Sequence, residues 1–372
     1  MGVRSTSIKN MGYSLVLLPQ ALLILSVHIG LPWLVLLFFF AGLPLLRYLI
    51  GNDLSPPNPK QLHPFVRTYL RSLPRLYCLT FAILLPWAAW TFEAVPRIHG
   101  SIIGFALSLW TVFALATCVA HELIHTVNSP LDRRLGRLLA ASVGYFQLYE
   151  EHFSHHERTG HYHSADVARP GQSIYTYSWK RYVDTIRSAL DFECARLRRE
   201  GLSKIHNRVF WTALVPVLVA CLFYALGGPV ALGVYVFEVV ATAFAVQAIT
   251  YLQHWGLSEK MTPDLGDHGF SWEEACWIQA CITLNNSFHG QHHLYVRKPY
   301  YQLTMSKEAL ALPASYPVMF LMALFPPVLT RVMKAQLALW MNNESARKNM
   351  MHRSDCFGGG LLGRGMRSGH SS

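Results

Sequence analysis

Apolar stretches about twenty residues long recur along the chain, and short polar or proline-bearing breaks separate them. Six qualify, near 12–29, 32–50, 76–95, 101–120, 209–227 and 229–253. Each approaches the ~20 residues that cross a bilayer as a helix. A seventh stretch, 312–330, contains Pro313, Pro317, Pro326 and Pro327 and reads as half-buried or interfacial rather than as a span. Arg4 and Lys9 precede the first stretch as in a secretory leader. No small-residue cleavage site follows, however, and a second apolar run begins right after Leu31 and Pro32. A helical hairpin that stays in the membrane is therefore expected. The pattern predicts an all-α integral membrane protein with about six spans. It comprises one membrane-embedded domain over 1–345 and a Gly-, Ser- and Arg-rich tail, 346–372, that is expected not to fold.

Composition supports burial in lipid. The chain is 52% hydrophobic and only 14% charged, against roughly 25% charged for a soluble average. The net charge of +11 would suit nucleic acid, but the positive residues flank apolar segments, so no nucleic-acid partner is expected. Arg47, Lys60, Arg67, Arg71 and Arg75 fall between the second and third spans, and the 121–208 region carries many more cations from Arg133 to Lys204. By the positive-inside rule both termini and 121–208 face the cytoplasm, with the bacterial inner membrane as the expected location. The seven cysteines contain no C-x-x-C pair and suggest no disulfide framework.

Histidine then changes the picture. Of eighteen histidines, nine fall in four knots: HELIH (His121, His125), HFSHH (His152, His155, His156), QHWGL (His254) and HGQHH (His289, His292, His293). Imidazole is the commonest protein ligand for mid-row metals. All four knots lie on the side that lysine and arginine mark as cytoplasmic, so a histidine-rich di-metal cap is expected there. His121 and His125, four apart, share a helix face. H-x-x-H-H occurs twice. It gives one helical face plus a neighbouring ligand, enough to reach two adjacent metals. The bland readings are interfacial histidines for the first knot and a satisfied core histidine for His254. His161 and His163 are spare candidates near the second knot. Nine imidazoles exceed the four ligands of one zinc. Two ions with nitrogen ligands and open positions suit iron and O2 chemistry better. Glu122, Glu150, Glu151 and Asp166 are available to orient the rings or to ligate. Glu238 and Gln247, polar within the sixth span, are also suspects.

At these residues the chain resembles the membrane di-iron superfamily of alkane hydroxylases, aromatic methyl-group hydroxylases and fatty-acid desaturases, and most of all the alkane 1-monooxygenases. Their HELGH-, EHxxGHH-, HSDHH- and EHYGL-type boxes appear here as HELIH, EHFSHH, HGQHH and QHWGL. ARPGQSIY (Ala168 to Tyr175) and SYPVMFLMALFPP (Ser315 to Pro327) are also similar to stretches of that family. The resemblance implies ligand roles for His121, His125, His155, His156, His254, His289, His292 and His293. The second box has two residues before its doublet, as in desaturases, where the hydroxylases have three. With desaturase spacing His152 takes the remaining slot; with hydroxylase loop length Glu151 does. Glu122 and Glu151 are the candidate catalytic carboxylates.

The resemblance further implies two non-haem irons and an oxidant made from O2 and two electrons, which abstracts hydrogen from an unactivated C–H bond. The electrons would come from a rubredoxin or ferredoxin with its NAD(P)H-dependent reductase, since the chain has no dinucleotide fingerprint. An apolar alkyl or acyl substrate would enter from the bilayer. Terminal hydroxylation of alkanes is the first expectation, with decarboxylation of free fatty acids to 1-alkenes or desaturation as alternatives. A carboxylate substrate would need an anchor such as Arg158, Arg169, Arg297 or Lys298. A membrane zinc protease would explain HELIH but leave three knots idle. A metal transporter would need polar residues deep in the spans.

Overall fold

In the computed structural model, residues 10–51, 62–94, 101–263, 265, 269–305 and 309–358 are described. Helices dominate them. In chain order these are α1 (Asn10–His28), α2 (Leu34–Ile50), α3 (Pro64–Ala94), α4 (Ser101–Ile124), α5 (Pro130–Ser142), α6 (Leu148–Arg158) and α7 (Ile174–Glu200). The 46-residue stretch Arg208–Gln253 follows. It breaks at Gly228, where φ is 67° and ψ −163° and Pro229 comes next. Only glycine takes that conformation freely, and a proline opens a new helix well. The chain doubles back there. The rings of Phe223 and Tyr235 lie 5.0 Å apart, whereas twelve residues of straight helix would separate them by ~18 Å. The two arms, α8 (208–227) and α9 (229–253), match the fifth and sixth apolar stretches.

Four helices are long and apolar enough to cross a membrane, counting Arg208–Gln253 once, and α2 is a shorter apolar helix with a π-type turn at Phe38–Gly42. The protein is thus an integral membrane protein with several apolar helices. The 312–330 stretch forms only the eight-residue α12 (Tyr316–Ala323), after which α13 (Pro326–Gly358) starts anew. Of the expected tail, 359–372 lies outside the described residues, as do Arg4, Lys9 and Lys60.

Two apolar clusters frame the site. One joins α1, α3, α4, α5 and the α8–α9 hairpin through residues such as Leu109, Phe113, Phe223 and Tyr235. The other joins the end of α9 to α12 and the start of α13 through Tyr251, Trp255, Met319 and Met333. Helix α5 crosses close over the end of α4 because position 136 is glycine: a methyl there would lie 2.9 Å from the Ala120 carbonyl oxygen. Short α10 (Trp277–Ile282) and α11 (His289–Leu294) sit between two two-residue strands, Trp272–Glu273 and Leu310–Ala311, which pair in parallel. Those strands and an isolated bridge between Ala168 and Trp255 are the β structure among the described residues.

Candidate metal centre

The histidines reach one place from three helices, α4, α6 and α11, and from the turns after α4 and α9. His121 ends α4 and His125 follows it by one turn. His152, His155 and His156 lie on α6, His254 caps α9, and His289, His292 and His293 make up half of α11. Their ring nitrogens form two groups. One holds His121, His125, His152, His156 and His292; the other holds His155, His254, His289 and His293. Within each group the nitrogens lie within 4.8 Å of one another. Each H-x-x-H-H run is divided between the groups. Its i,i+4 pair serves one group and its odd histidine serves the other, as helix geometry dictates. The nine histidines expected from sequence are thus the nine brought together. Exposed His161 and His163 are in neither group.

In the larger group four Nε2 atoms close a quadrilateral. His125 to His152 is 2.7 Å, His152 to His156 2.9 Å, His156 to His292 3.1 Å, and His292 to His125 3.1 Å. Burial, reinforced by the other imidazoles, holds His125, His152 and His292 well below their ordinary range, and His156 to about 2. Neutral rings cannot satisfy this arrangement alone. Each Nε2 is either a donor with one hydrogen or an acceptor with none, so at most two of four edges can be hydrogen bonds. A cation satisfies all four. Imidazole nitrogens sit roughly 2.0–2.1 Å from a bound divalent ion, which places neighbours at 90° about 2.9 Å apart. His121 Nε2, buried and without a hydrogen-bond partner, is the fifth donor. The residues present fit a metal.

In the smaller group, His289 and His293 bring their Nε2 atoms to 2.9 Å. His254 donates from Nδ1 to the Phe270 carbonyl at 2.9 Å, which leaves Nε2 as a buried acceptor with no partner. His155 Nδ1 lies 3.0 Å from Asp166 Oδ1. Asp166 in turn takes Arg181 Nε at 2.9 Å, Arg181 Nη1 donates to Gln247 Oε1 at 2.6 Å, and Gln247 Nε2 donates to the Tyr145 hydroxyl at 2.7 Å. Burial alone would raise the Asp166 carboxyl, but His155 and Arg181 hold it well below the usual carboxylate range. Such carboxylate backing fixes a ring's tautomer and raises its basicity toward a metal. Gln247, a suspect for its place in a span, is accounted for by this chain. Glu238 is buried with both oxygens unpartnered and lines neither cavity described below.

Neither candidate carboxylate belongs to a nitrogen group. Glu122 receives the Tyr300 N–H at 3.4 Å and lines a groove with Arg71, Arg297 and Lys298. Glu151 lies 3.8 Å from Arg181 and faces a cavity that also meets His121, His152, His155 and His289. His152 sits among the nitrogens. That cavity shares Ala114, Cys118, Ala245, Ile249, Gln253 and Asn286 with a second, largely apolar one. Phe39 and Phe40 of α2, Trp110 of α4 and Phe320 of α12 wall the second cavity.

Sequence reasoning missed several supports. Glu273 accepts the Gln291 N–H at 3.0 Å and so anchors α11. Glu274 pairs with Arg47 at 2.8 Å. Two adjacent acids in the apolar run FSWEEACWIQACI were a usable signal. Nothing in the sequence marks Arg181 among the many cations of α7. Nor does it show that Leu284 and Asn285 take left-handed φ of 51° and 57° on the way into α11. Asn285 Nδ2 pays for that strain by donating to Tyr13 Oη at 2.8 Å and to the Tyr300 carbonyl at 2.7 Å.

Apolar helices carrying a two-group histidine centre beside a lipophilic cavity define a membrane metalloenzyme of the di-metal type. Comparison with known sequences is specific. The fatty acid desaturase family model matches residues 96–321, more than half of the chain, and the chain belongs to that family. It is 30% identical to the alkane 1-monooxygenase of Ectopseudomonas oleovorans over 84% of this chain and 79% of that one. It is 28% identical to alkane 1-monooxygenase 2 of Pseudomonas aeruginosa over 84% and 86%. The hydroxylase component of xylene/toluene monooxygenase from Pseudomonas putida is 29% identical over 64% and 65%. The protein is an oxidoreductase of the desaturase and alkane monooxygenase group.

Proposed function

We propose that the chain is an O2-dependent non-haem di-iron hydroxylase that acts on a terminal C–H bond of a medium or long alkyl chain, with simple alkanes the first substrates to test. One observation carries this reading: the histidine-lined cavity and the apolar cavity share a wall. A chain lying in the second would present a C–H bond to the first. The relatives named for alkane oxidation support it.

His121, His125, His152, His156 and His292 would hold one iron, and His155, His254, His289 and His293 the other. When bound, the irons supply the redox chemistry that makes O2 able to take hydrogen from an unactivated C–H bond. The protein's part is orientation and exclusion of water. Asp166 and the Phe270 carbonyl fix the His155 and His254 rings. Glu151 Oε2, buried without a hydrogen-bond partner, is placed to accept a hydrogen bond from a group bound beside the metals. Glu122 ties the end of α4 to Tyr300. Substrate enters from the bilayer between α2 and α12. In this reading the chain crosses six times, with termini and metal site cytoplasmic in a bacterial inner membrane. A rubredoxin or ferredoxin and its NAD(P)H-dependent reductase deliver electrons from that side.

The fatty-acid decarboxylation reading has less support. Its proposed anchors are engaged elsewhere: Arg158 pairs with Asp184 at 3.1 Å, Arg169 lies over the Tyr162 ring, and Arg297 and Lys298 line the Glu122 groove. The test is product analysis. Iron-loaded membranes with an electron donor are fed octane or dodecanoic acid. Octanol from octane is expected; 1-undecene from the acid with no alcohol from the alkane would reject the proposal.

A further inference from the structure

The apolar cavity has one wall that a hydrocarbon would leave unsatisfied. Gln279, Asn286 and Ser287 line it, and their Oε1, Oδ1 and Oγ atoms are all buried without a hydrogen-bond partner. Gln279 and Ser287 are 2% and 4% exposed as residues. Trp110 Nε1, also buried and unpartnered, belongs to the same lining. The orientation of Gln279 is set from outside. Its Nε2 donates to Glu274, itself held by Arg47, so the oxygen is the end left over. Asn286 gives its Nδ2 to Cys118 Sγ at a long 3.6 Å and keeps its oxygen free.

Buried polar atoms left unpaired are uncommon and costly, and a native protein keeps them where something else completes them. Here the missing partner must both donate and accept: two carboxamide oxygens want a donor, Trp110 Nε1–H wants an acceptor, and the Ser287 hydroxyl serves either. The cavity lining contains no cation and no carboxylate, so neither an anionic nor a cationic group is matched there. The neutral group that fits is a hydroxyl. Gln279, Asn286 and Ser287 all lie within ten residues before His289, and Asn286 also lines the metal-side cavity. The group would therefore sit between the metals and the aromatic wall of Phe40, Trp110 and Phe320.

We infer that this chain takes an alkyl substrate already bearing a neutral hydroxyl function in preference to an unfunctionalised alkane. The inference rests on the reading of the joined cavities as the substrate site. A reaction that introduces oxygen into a hydrocarbon would then supply its substrate.

The test compares 1-dodecanol with dodecane at equal mole fraction in nanodiscs holding the full chain. Binding is read as the rise in thermal unfolding temperature, and turnover as kcat/KM with reductant and O2. The alcohol should bind at least tenfold more tightly and lead in kcat/KM by a similar factor, the size expected for one or two buried hydrogen bonds. Ser287→Ala, which removes one oxygen and adds no bulk, should narrow the ratio severalfold, and Asn286→Leu should narrow it further. Dodecane binding as well as the alcohol would overturn the inference, as would a preference unchanged in both variants. If dodecane is oxidised and the alcohol shows no advantage, the inference falls and the hydroxylase reading stands. If the alcohol binds preferentially and neither compound is oxidised, the hydroxylase reading falls and the binding inference stands.

Discussion

The two nitrogen groups are built from the same side chain yet held by different means. The larger group rests on helix periodicity. His121 with His125 and His152 with His156 are i,i+4 pairs, and the outer nitrogen of His156 is buried with no partner. The smaller group has an i,i+4 pair of its own, His289 with His293, and adds polar backing, through Asp166, Arg181, Gln247 and Tyr145 behind His155 and the Phe270 carbonyl behind His254. Helix spacing sets positions cheaply but leaves a ring free to rotate. A hydrogen bond at the outer nitrogen fixes rotation and tautomer together. The contrast teaches that both groups use helix spacing, and that the smaller one adds polar backing behind two of its four rings.

The sharpest way to break the comparison is to remove a corner of the quadrilateral. His292→Ala should eliminate metal from the larger group and lower product formation by ~10³-fold or more, since the chemistry needs both ions. Metal analysis that still finds two ions per chain would end this account of that group. Next, Asp166→Asn should weaken metal binding or activity by ~10–100-fold, with loss confined to the smaller group and metal content falling toward one per chain. Equal loss from both groups would mean the backing is shared. Stripping metal with a chelator should lower the unfolding temperature, and Fe(II) should restore it, because ligand binding to the native state alone stabilises it. An unchanged melting curve would show that the imidazoles pack without an ion. Smaller still, Gln247→Leu leaves Arg181 and Tyr145 without their shared partner and should cost about 1–3 kcal/mol, read by denaturation in detergent. Gly228→Ala puts a side chain at φ 67° and should cost about 1 kcal/mol, with the histidine centre untouched.

Much of the site was legible because its signals are local. A repeat of four along a helix reports a shared face, so the H-x-x-H-H runs pointed to two groups of ring nitrogens. The break between the fifth and sixth apolar stretches was likewise visible at Gly228 and Pro229. Arg181 was hidden because α7 carries many cations, and only folding shows which one is buried against Asp166. The choice between His152 and Glu151 turned on one residue of loop length, which spacing alone left open. The fold places His152 among the nitrogens and Glu151 beside Arg181 because α6 is continuous through both, and consecutive residues on a helix point about 100° apart.

By itself the sequence determined the solvent of the chain and marked the nine histidines that the fold brings together, because hydropathy and helix period are properties of neighbouring residues. Tertiary structure alone decided how nine imidazoles divide into five and four. It also decided which carboxylate backs them, and that Gln279, Asn286 and Ser287 line a largely apolar cavity. Those outcomes depend on where separate helix ends meet, and no local periodicity encodes that.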